Sequence, residues 1–367
     1  MFWTFINVQN RFSNPRFGKK FVFYYPPNPD IIDNIVYNNN KKIIYNNVKM
    51  TEQRVLVTGG SGLVGKAIEH IEKDKKEVKW KYLSSKDVDL TIESDVLREF
   101  DNYKPTIVIH LASKVAGLYG NMENNYSMLV DNLKMHTNVL EACRKYKVSK
   151  LVNILSTCVF PDKDITYPLT SDQIMNGAPH PSNEGYAYSK RFLLTGSELL
   201  SKATGLEVVN ITPTNLYGEY DNYHLQKSHV IPGLIHKCYL AKANGDAFVI
   251  KGSGKAKRQF VYTKDFAKII LHFVNRTEDR STVENIIVSP DKESEITIRE
   301  LVECIAKGFD FKGEIIYDTT FSDGQLSKTC DSSELLKSIP HFEFTSMENG
   351  LQSTIDYFVN NYDKVRK

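Results

Sequence analysis

From Arg54 to Thr212 the chain alternates short apolar runs with segments whose apolar residues recur at helical spacing. Continuous apolar runs bounded by turn residues predict buried strands at 54–57, 78–83, 106–111, 150–155 and 206–212. Apolar positions at i, i+3, i+4 and i+7 predict helices starting at 62 and covering 93–102, 128–147 and 185–203. A strand–helix order repeated this regularly returns each strand parallel to the last, which predicts an α/β fold with a doubly wound parallel sheet. Pro213, Gly218 and the polar run 219–228 interrupt the pattern. Shorter elements follow: helices 229–243, 264–275, 297–309 and 347–360, with strands 247–251, 259–262, 284–288 and 314–317. They predict a smaller α/β lobe over 216–367, some of whose segments return to a first domain over 50–215.

The first 49 residues are different. They are rich in Asn, Tyr, Phe and Pro, show no sustained period and include the polar run Asn38-Asn39-Asn40-Lys41-Lys42, so a disordered, low-complexity leader is expected. Arg11, Arg16, Lys19 and Lys20 precede the first acid, Asp30, as in a targeting peptide, but the aromatic content and missing amphipathic helix weigh against one. The folded unit is expected to begin near Thr51.

Charge adds little to this picture. Lys+Arg 47 against Asp+Glu 44 leaves a net +3 over 367 residues, and no basic stripe suggests nucleic acid. No stretch is long and apolar enough to span a bilayer. Five cysteines without a Cys-x-x-Cys pair point to a reducing, cytoplasmic setting and to no metal site.

Two motifs carry chemistry. Gly59, Gly60, Ser61, Gly62, Leu63, Val64 and Gly65 follow the first strand and open a helix, which is the order a pyrophosphate requires. Gly59 allows the tight turn, Gly62 lets backbone approach the phosphates, and Gly65 lets the helix pack on the strand. Tyr186 and Lys190 lie four residues apart and so share a helix face, where an ammonium favours the phenolate and makes the tyrosine an acid/base. His110-Leu111-Ala112 and Leu155-Ser156-Thr157 end strands at the edge where ligands bind in such sheets. After the second strand, Ser84-Ser85-Lys86-Asp87 offers hydroxyls and an ammonium before any acid, which favours the 2′-phosphate of NADP(H) over the bare ribose of NAD. Cys158 lies two residues after Ser156, and His229 stands just before a predicted helix.

The Gly-x-x-Gly-x-x-Gly turn together with Tyr-x-x-x-Lys resembles the extended short-chain dehydrogenase/reductase family. The resemblance implies a Rossmann-type nucleotide domain, a substrate-binding lobe and an active site in the cleft between them. It implies that Ser156 hydrogen-bonds the reacting oxygen and that Lys190 holds the nicotinamide ribose. Leu111, Ala112, Pro213, Thr214, Asn215, Leu216 and His229 would meet the cofactor, NADPH. Ser156-Thr157-Cys158, Ser228 to Pro232, Gly252-Ser253-Gly254 and Ser322-Asp323-Gly324 further resemble the branch that epimerises a GDP-linked 4-keto-6-deoxy sugar at C3 and C5 and reduces it at C4. In that branch Cys158 would be the epimerisation base and His229 the acid. Lys237, Lys251, Arg258, Asp323 and Lys328 match positions that hold the GDP-sugar, although at Lys251 the family can carry an aromatic residue. The resemblance also implies a homodimer built through 128–147 and 185–203. Competing readings are a C4 epimerase, a 4,6-dehydratase and a non-catalytic nucleotide-binding protein. A dehydratase usually has an Asp-Glu pair where this chain has Thr157-Cys158, and a silent protein usually lacks the Tyr or the Lys.

Overall fold

The computed structural model describes residues 35–38, 41–44, 52–73, 78–115, 118–276, 283–323 and 325–367. Two compact units result, one over Met1–Glu52 and one over Gln53–Lys367. In the first, β1 (Ile35–Asn38) and β2 (Lys41–Ile44) pair antiparallel with Ile35 opposite Ile44. β-Branched and aromatic residues such as Val36, Tyr37 and Ile43 favour extended backbone, so the stretch expected to be patternless carries a hairpin at these positions. The rest of the leader, with its basic residues, lies outside the described residues.

In the second unit the chain forms β3 (Arg54–Thr58), α1 (Leu63–Glu72), β4 (Lys79–Leu83), α2 (Glu93–Tyr103), β5 (Ile107–His110), α3 (Leu118–Glu123) and α4 (Asn125–Lys145). There follow β6 (Lys150–Ile154), α5 (Glu184–Thr204), β7 (Glu207–Pro213), β8 (Asn215–Tyr217), α6 (Val230–Asn244), β9 (Phe248–Lys251), β10 (Lys257–Arg258), β11 (Phe260–Tyr262) and α7 (Thr263–Asn275). The chain ends with β12 (Val283–Val288), β13 (Ile296–Thr297), α8 (Ile298–Gly308), β14 (Ile315–Asp318), α9 (Ser333–Ser338) and α10 (Met347–Asn360).

Six strands make the central sheet in the order β12-β7-β6-β5-β3-β4, and every neighbouring pair is parallel. Both faces are covered because side chains alternate along each strand. Leu56, Val108, Leu151 and Val208 enter one core with Val139 and Leu140 of α4 and Leu193 of α5. Val55, Ile109, Val152 and Val209 enter the other with Ala67 and Ile68 of α1 and Phe266 and Ile270 of α7. That two-sided burial is why these strands read as unbroken apolar runs. β12 comes from beyond the polar interruption and joins the sheet beside β7.

A third core gathers Tyr217, Ile235, Cys238, Phe248, Leu301, Ile305 and Phe358 from β8, α6, β9, α8 and α10. Three short pairings complete this part, β8 with β11 and β9 with β14 in parallel and β10 with β13 antiparallel. The sequence pattern missed α3, β8, β10, β13 and α9, which span six residues or fewer and are too short to show a period.

Candidate active site

The order of the sheet reverses at β3, which has β4 on one side and β5 on the other. Brackets of this kind leave a crevice at the carboxyl ends of the strands, where the glycine turn, the segment after β5 and the segment after β6 all emerge. Gly59 has φ +70°, and a Cβ there would stand 2.9 Å from Ala112 N. A Cβ on Gly60 would meet Tyr82 Cβ at 2.6 Å, and one on Gly65 would meet the Gly60 backbone at 2.5 Å. Gly65 is therefore glycine because α1 packs on the turn itself, a correction to its expected contact with the strand. Gly62 starts α1 without a side-chain cap, and the first turn holds no acid. The positive end of the helix is left for an anion. These residues fit a dinucleotide pyrophosphate, and Leu63 and Val64 lie in that first turn.

At the end of β4 the Asp87 carboxylate folds back onto Ser84, accepting from its N–H at 2.8 Å and its hydroxyl at 2.6 Å. This engages the acid and leaves Ser85 and Lys86 exposed just beyond β4. Thr214 and Asn215 are tied to neighbouring strands, through Thr214 N–H to Val288 O at 3.0 Å and Asn215 Nδ2 to Gln259 O at 2.9 Å. Pro213 and Leu216 sit in β7 and β8, so this stretch offers backbone and apolar surface to a cofactor while the Asn215 amide holds the crossing in place.

The start of α5 is pressed onto α4. Gly185 donates to Asn125 Oδ1 at 2.7 Å, and a Cβ on it would lie 2.1 Å from Asn125 O. The next residue, Tyr186, packs with Met128, Cys158 and Ala187 in a small buried cluster. Lys190 is 1% exposed, donates to Ile154 O at 2.7 Å and lies 5.7 Å from the Tyr186 ring. The Tyr-x-x-x-Lys pair and the thiol thus converge, whereas no contact among the described residues joins Cys158 to His229.

Electrostatics correct one expectation. Burial lowers Lys190 to about 7 and raises the Tyr186 phenol above its ordinary value. The ammonium is aimed at a backbone carbonyl, and the group that favours the phenolate is the Ser113 hydroxyl. That hydroxyl is buried and forms no regular hydrogen bond to the phenol, so its effect on Tyr186 is small beside that of desolvation. Asn132 clamps the next residue from both sides, accepting from Lys114 N–H at 2.7 Å and donating to Lys114 O at 2.9 Å. No sequence motif points to Ser113, since the segment that carries it is set by Asn132 on a helix 18 residues beyond Lys114.

Ser156 caps the short 3₁₀ turn Thr157–Val159, accepting from Cys158 N–H at 3.4 Å. Burial raises the Cys158 thiol above its ordinary value, opposed by the Ser156 hydroxyl and by the charges of Lys328 and Lys190. Desolvation outweighs these charges. Below, His110 bridges Thr58 and His136, each at 2.8 Å. Burial lowers His110 to about 3 and His136 in the same direction, so the two rings act as neutral hydrogen-bonding groups.

His229 forms the N-cap of α6, with Nδ1 3.9 Å from Asp221 Oδ1. Its pKa is raised by the facing Asp221 carboxylate, and its side chain is 55% exposed. Asp221 went unnoticed in the sequence because acids in polar loops are common.

The cations expected to hold substrate fall in two places. Lys328 and Arg258 face each other, and both are lowered by burial. Lys237 is lowered by burial and by Lys251, whose Nζ lies 4.5 Å over the Phe321 ring. The aromatic missing at residue 251 is thereby supplied from the neighbouring loop. Asp323 accepts from Ser253 N–H at 2.7 Å and Ser253 Oγ at 2.6 Å, so its carboxylate shapes the Gly252–Gly254 turn and is not a free substrate ligand. No group of His, Cys, Asp or Glu among the described residues is arranged to hold a metal.

Comparison with known proteins agrees with this geometry. Residues 55–288 match the NAD dependent epimerase/dehydratase family. A GDP-L-fucose synthase of Dictyostelium discoideum is 42% identical over 319 residues, covering 86% of this chain and 98% of its own. A probable GDP-L-fucose synthase of Drosophila melanogaster is 39% identical over 86% of this chain and 100% of its own. A crystal structure of a GDP-L-fucose synthetase from Naegleria fowleri bound to NADP superposes with a TM-score of 0.80 at 40% identity, covering 87% of this chain and 96% of that one. The chain belongs to the NAD dependent epimerase/dehydratase family and, within it, to the GDP-L-fucose synthase group.

Proposed function

We propose that this protein converts GDP-4-keto-6-deoxy-D-mannose to GDP-L-fucose, by epimerisation at C3 and C5 followed by reduction at C4. The observation that carries the reading is the packing of Cys158 against Tyr186, which puts a second proton-transfer group beside the acid of a reductase. A simple C4 epimerase has no use for it.

A ketone at C4 acidifies the protons at C3 and C5. Cys158 removes each as its thiolate, with Lys328 and Lys190 favouring that form, and His229 returns a proton on the opposite face. Ser156 polarises the C4 carbonyl. When bound, NADPH supplies the hydride for C4. Tyr186 then protonates the C4 oxygen, and Lys190 holds the nicotinamide ribose. The glycine turn, Lys86, Leu111, Ala112 and residues 213–216 hold the dinucleotide, and His229 borders it. Lys237, Lys251, Arg258 and Lys328 hold the GDP-sugar, cations matched to a diphosphate.

The deciding experiment is incubation with GDP-4-keto-6-deoxy-D-mannose and NADPH, with product configuration read by NMR. GDP-L-fucose is expected. A product still in the manno configuration would point to a plain reductase. Ser113→Ala provides a second check: without that hydroxyl the phenol becomes a weaker acid, and reduction is expected to slow about tenfold. Because the Tyr186 pKa rises, the fall in rate at high pH moves to higher pH. NADPH affinity should be unchanged, and a pH profile identical to that of the unmodified enzyme would remove Ser113 from the site.

The same reading includes a homodimer. Tyr126 on α4 and Tyr188, Phe192 and Leu199 on α5 are exposed apolar side chains on the two helices expected to pair between subunits. It also places the enzyme in the cytoplasm, in keeping with five free thiols, and no helix among the described residues is long and apolar enough to cross a membrane.

A further inference from the structure

Asp221 is a carboxylate where water hardly reaches. It is 5% exposed, its Oδ1 accepts from the Asn222 N–H at 2.7 Å, and its Oδ2 is buried without a partner. A buried charge so poorly compensated by hydrogen bonds needs a counter-charge. The facing titratable group among the described residues is His229, with Nδ1 3.9 Å from Oδ1.

His229 has its own need. It is the N-cap of a 15-residue helix, α6, whose positive end disfavours an imidazolium. A histidine in that place would ordinarily be neutral at physiological pH, which is the wrong state for an acid that must deliver a proton.

The loop bearing Asp221 is also fixed on both sides. Arg366 donates through Nη2 to Tyr220 O at 2.6 Å, and its carbonyl accepts from Tyr223 N–H at 2.7 Å. Tyr223 is fully buried, with its hydroxyl donating to the carbonyls of Gly218 and Glu219 at 3.2 Å. Such bracing sets the carboxylate where α6 begins and does not leave it to the loop.

We propose that Asp221 is the positioning residue of the epimerisation acid: its carboxylate pairs with His229 at Nδ1 as a counter-charge, keeps the ring protonated against the helix terminus, and leaves Nε2–H as the proton donor. In the step itself the enolate π electrons form the new C–H bond as Nε2–H breaks. The imidazolium becomes neutral imidazole with Nδ1–H still facing Asp221, and solvent restores the proton. This inference rests on the reaction proposed above.

Asp221→Asn tests it, because the amide oxygen can still accept from Asn222 N–H while the charge is lost. With the carboxylate gone the His229 pKa falls. Deuterium incorporation from D₂O at C3 and C5 depends on the acid form, so its high-pH limb is expected to move down by about one unit, with turnover at neutral pH reduced about tenfold. NADPH binding should be retained, and Asp221→Glu should restore part of the rate. A variant with an unmoved profile overturns the proposal. Titration of His229 by NMR in the unmodified protein decides the matter even where the variant fails to fold, with Gln at residue 229 used to assign the signal. A pKa above ~6.5 supports the pairing, and one at or below ~6.5 overturns it. If the unmodified enzyme incorporates no deuterium at all, the proposed reaction fails, and the titration still reports on the pair.

Discussion

Tyr186→Phe is expected to abolish reduction while leaving exchange of the C3 and C5 protons with solvent largely intact. Hydride arriving at C4 creates negative charge on oxygen, and in this site the phenol lies where that charge can be quenched, beside Cys158 and Ser113. Loss of a positioned proton donor typically costs 10²–10⁴-fold. In the proposed mechanism enolate formation at C3 and C5 draws on Cys158 and His229, so it should survive the loss of one hydroxyl. Two readings of the same sample decide it: NADPH oxidation followed by absorbance, and deuterium incorporation from D₂O followed by NMR. A variant that oxidises NADPH at a near-normal rate would show that another group is the acid. Tyr186 is 8% exposed, so a phenylalanine of the same shape keeps the packing against Met128 and Ala187 and the comparison is clean.

Cys158→Ser is expected to slow proton removal by roughly 10²-fold or more, because a serine hydroxyl is a far poorer base than a thiolate at neutral pH. The substitution is small, and the side chain stays between the Ser156 turn and Tyr186. Burial raises the Cys158 pKa, so the fraction of thiolate grows with pH. The exchange rate of the unmodified enzyme should therefore rise with pH on its acid side, until loss of the His229 proton limits it, and the serine variant should lose that rising limb. Removing the Lys328 charge acts on the same equilibrium in the opposite sense from deprotonation, since its ammonium is one of the groups favouring the thiolate. Unchanged exchange in Cys158→Ser would make the cysteine a packing residue and leave the epimerisation without its base.

Much of the frame was readable because its causes are local. Unbroken apolar runs marked the strands buried on both faces, and the helix predicted over 93–102 forms over Glu93–Tyr103. The glycine turn was legible because φ +70° at Gly59 and the absent space at Gly60 and Gly65 leave no alternative residue. Tyr186 and Lys190 could be paired because four residues on a helix fix a common face.

What failed to appear was whatever depends on distance in sequence. Nothing in the chain's pattern says that Asn132 clamps the residue after Ser113, that Asp323 spends its carboxylate on Ser253, or that Asp221 faces His229. The same limit explains the expected effect of Lys190 on Tyr186: spacing can bring two side chains to one face, but it cannot show that the ammonium turns to Ile154 O. Nor can spacing give the degree of burial, which here outweighs neighbouring charge at Tyr186, Lys190 and Cys158. The sequence by itself determined the strands of the sheet, the glycine turn and the shared helix face of Tyr186 and Lys190, because those follow from local periodicity and from sterics within a few residues. The protonation states and partners of those groups were decided only by tertiary structure, since desolvation and hydrogen bonding depend on what packs against a side chain from elsewhere in the fold.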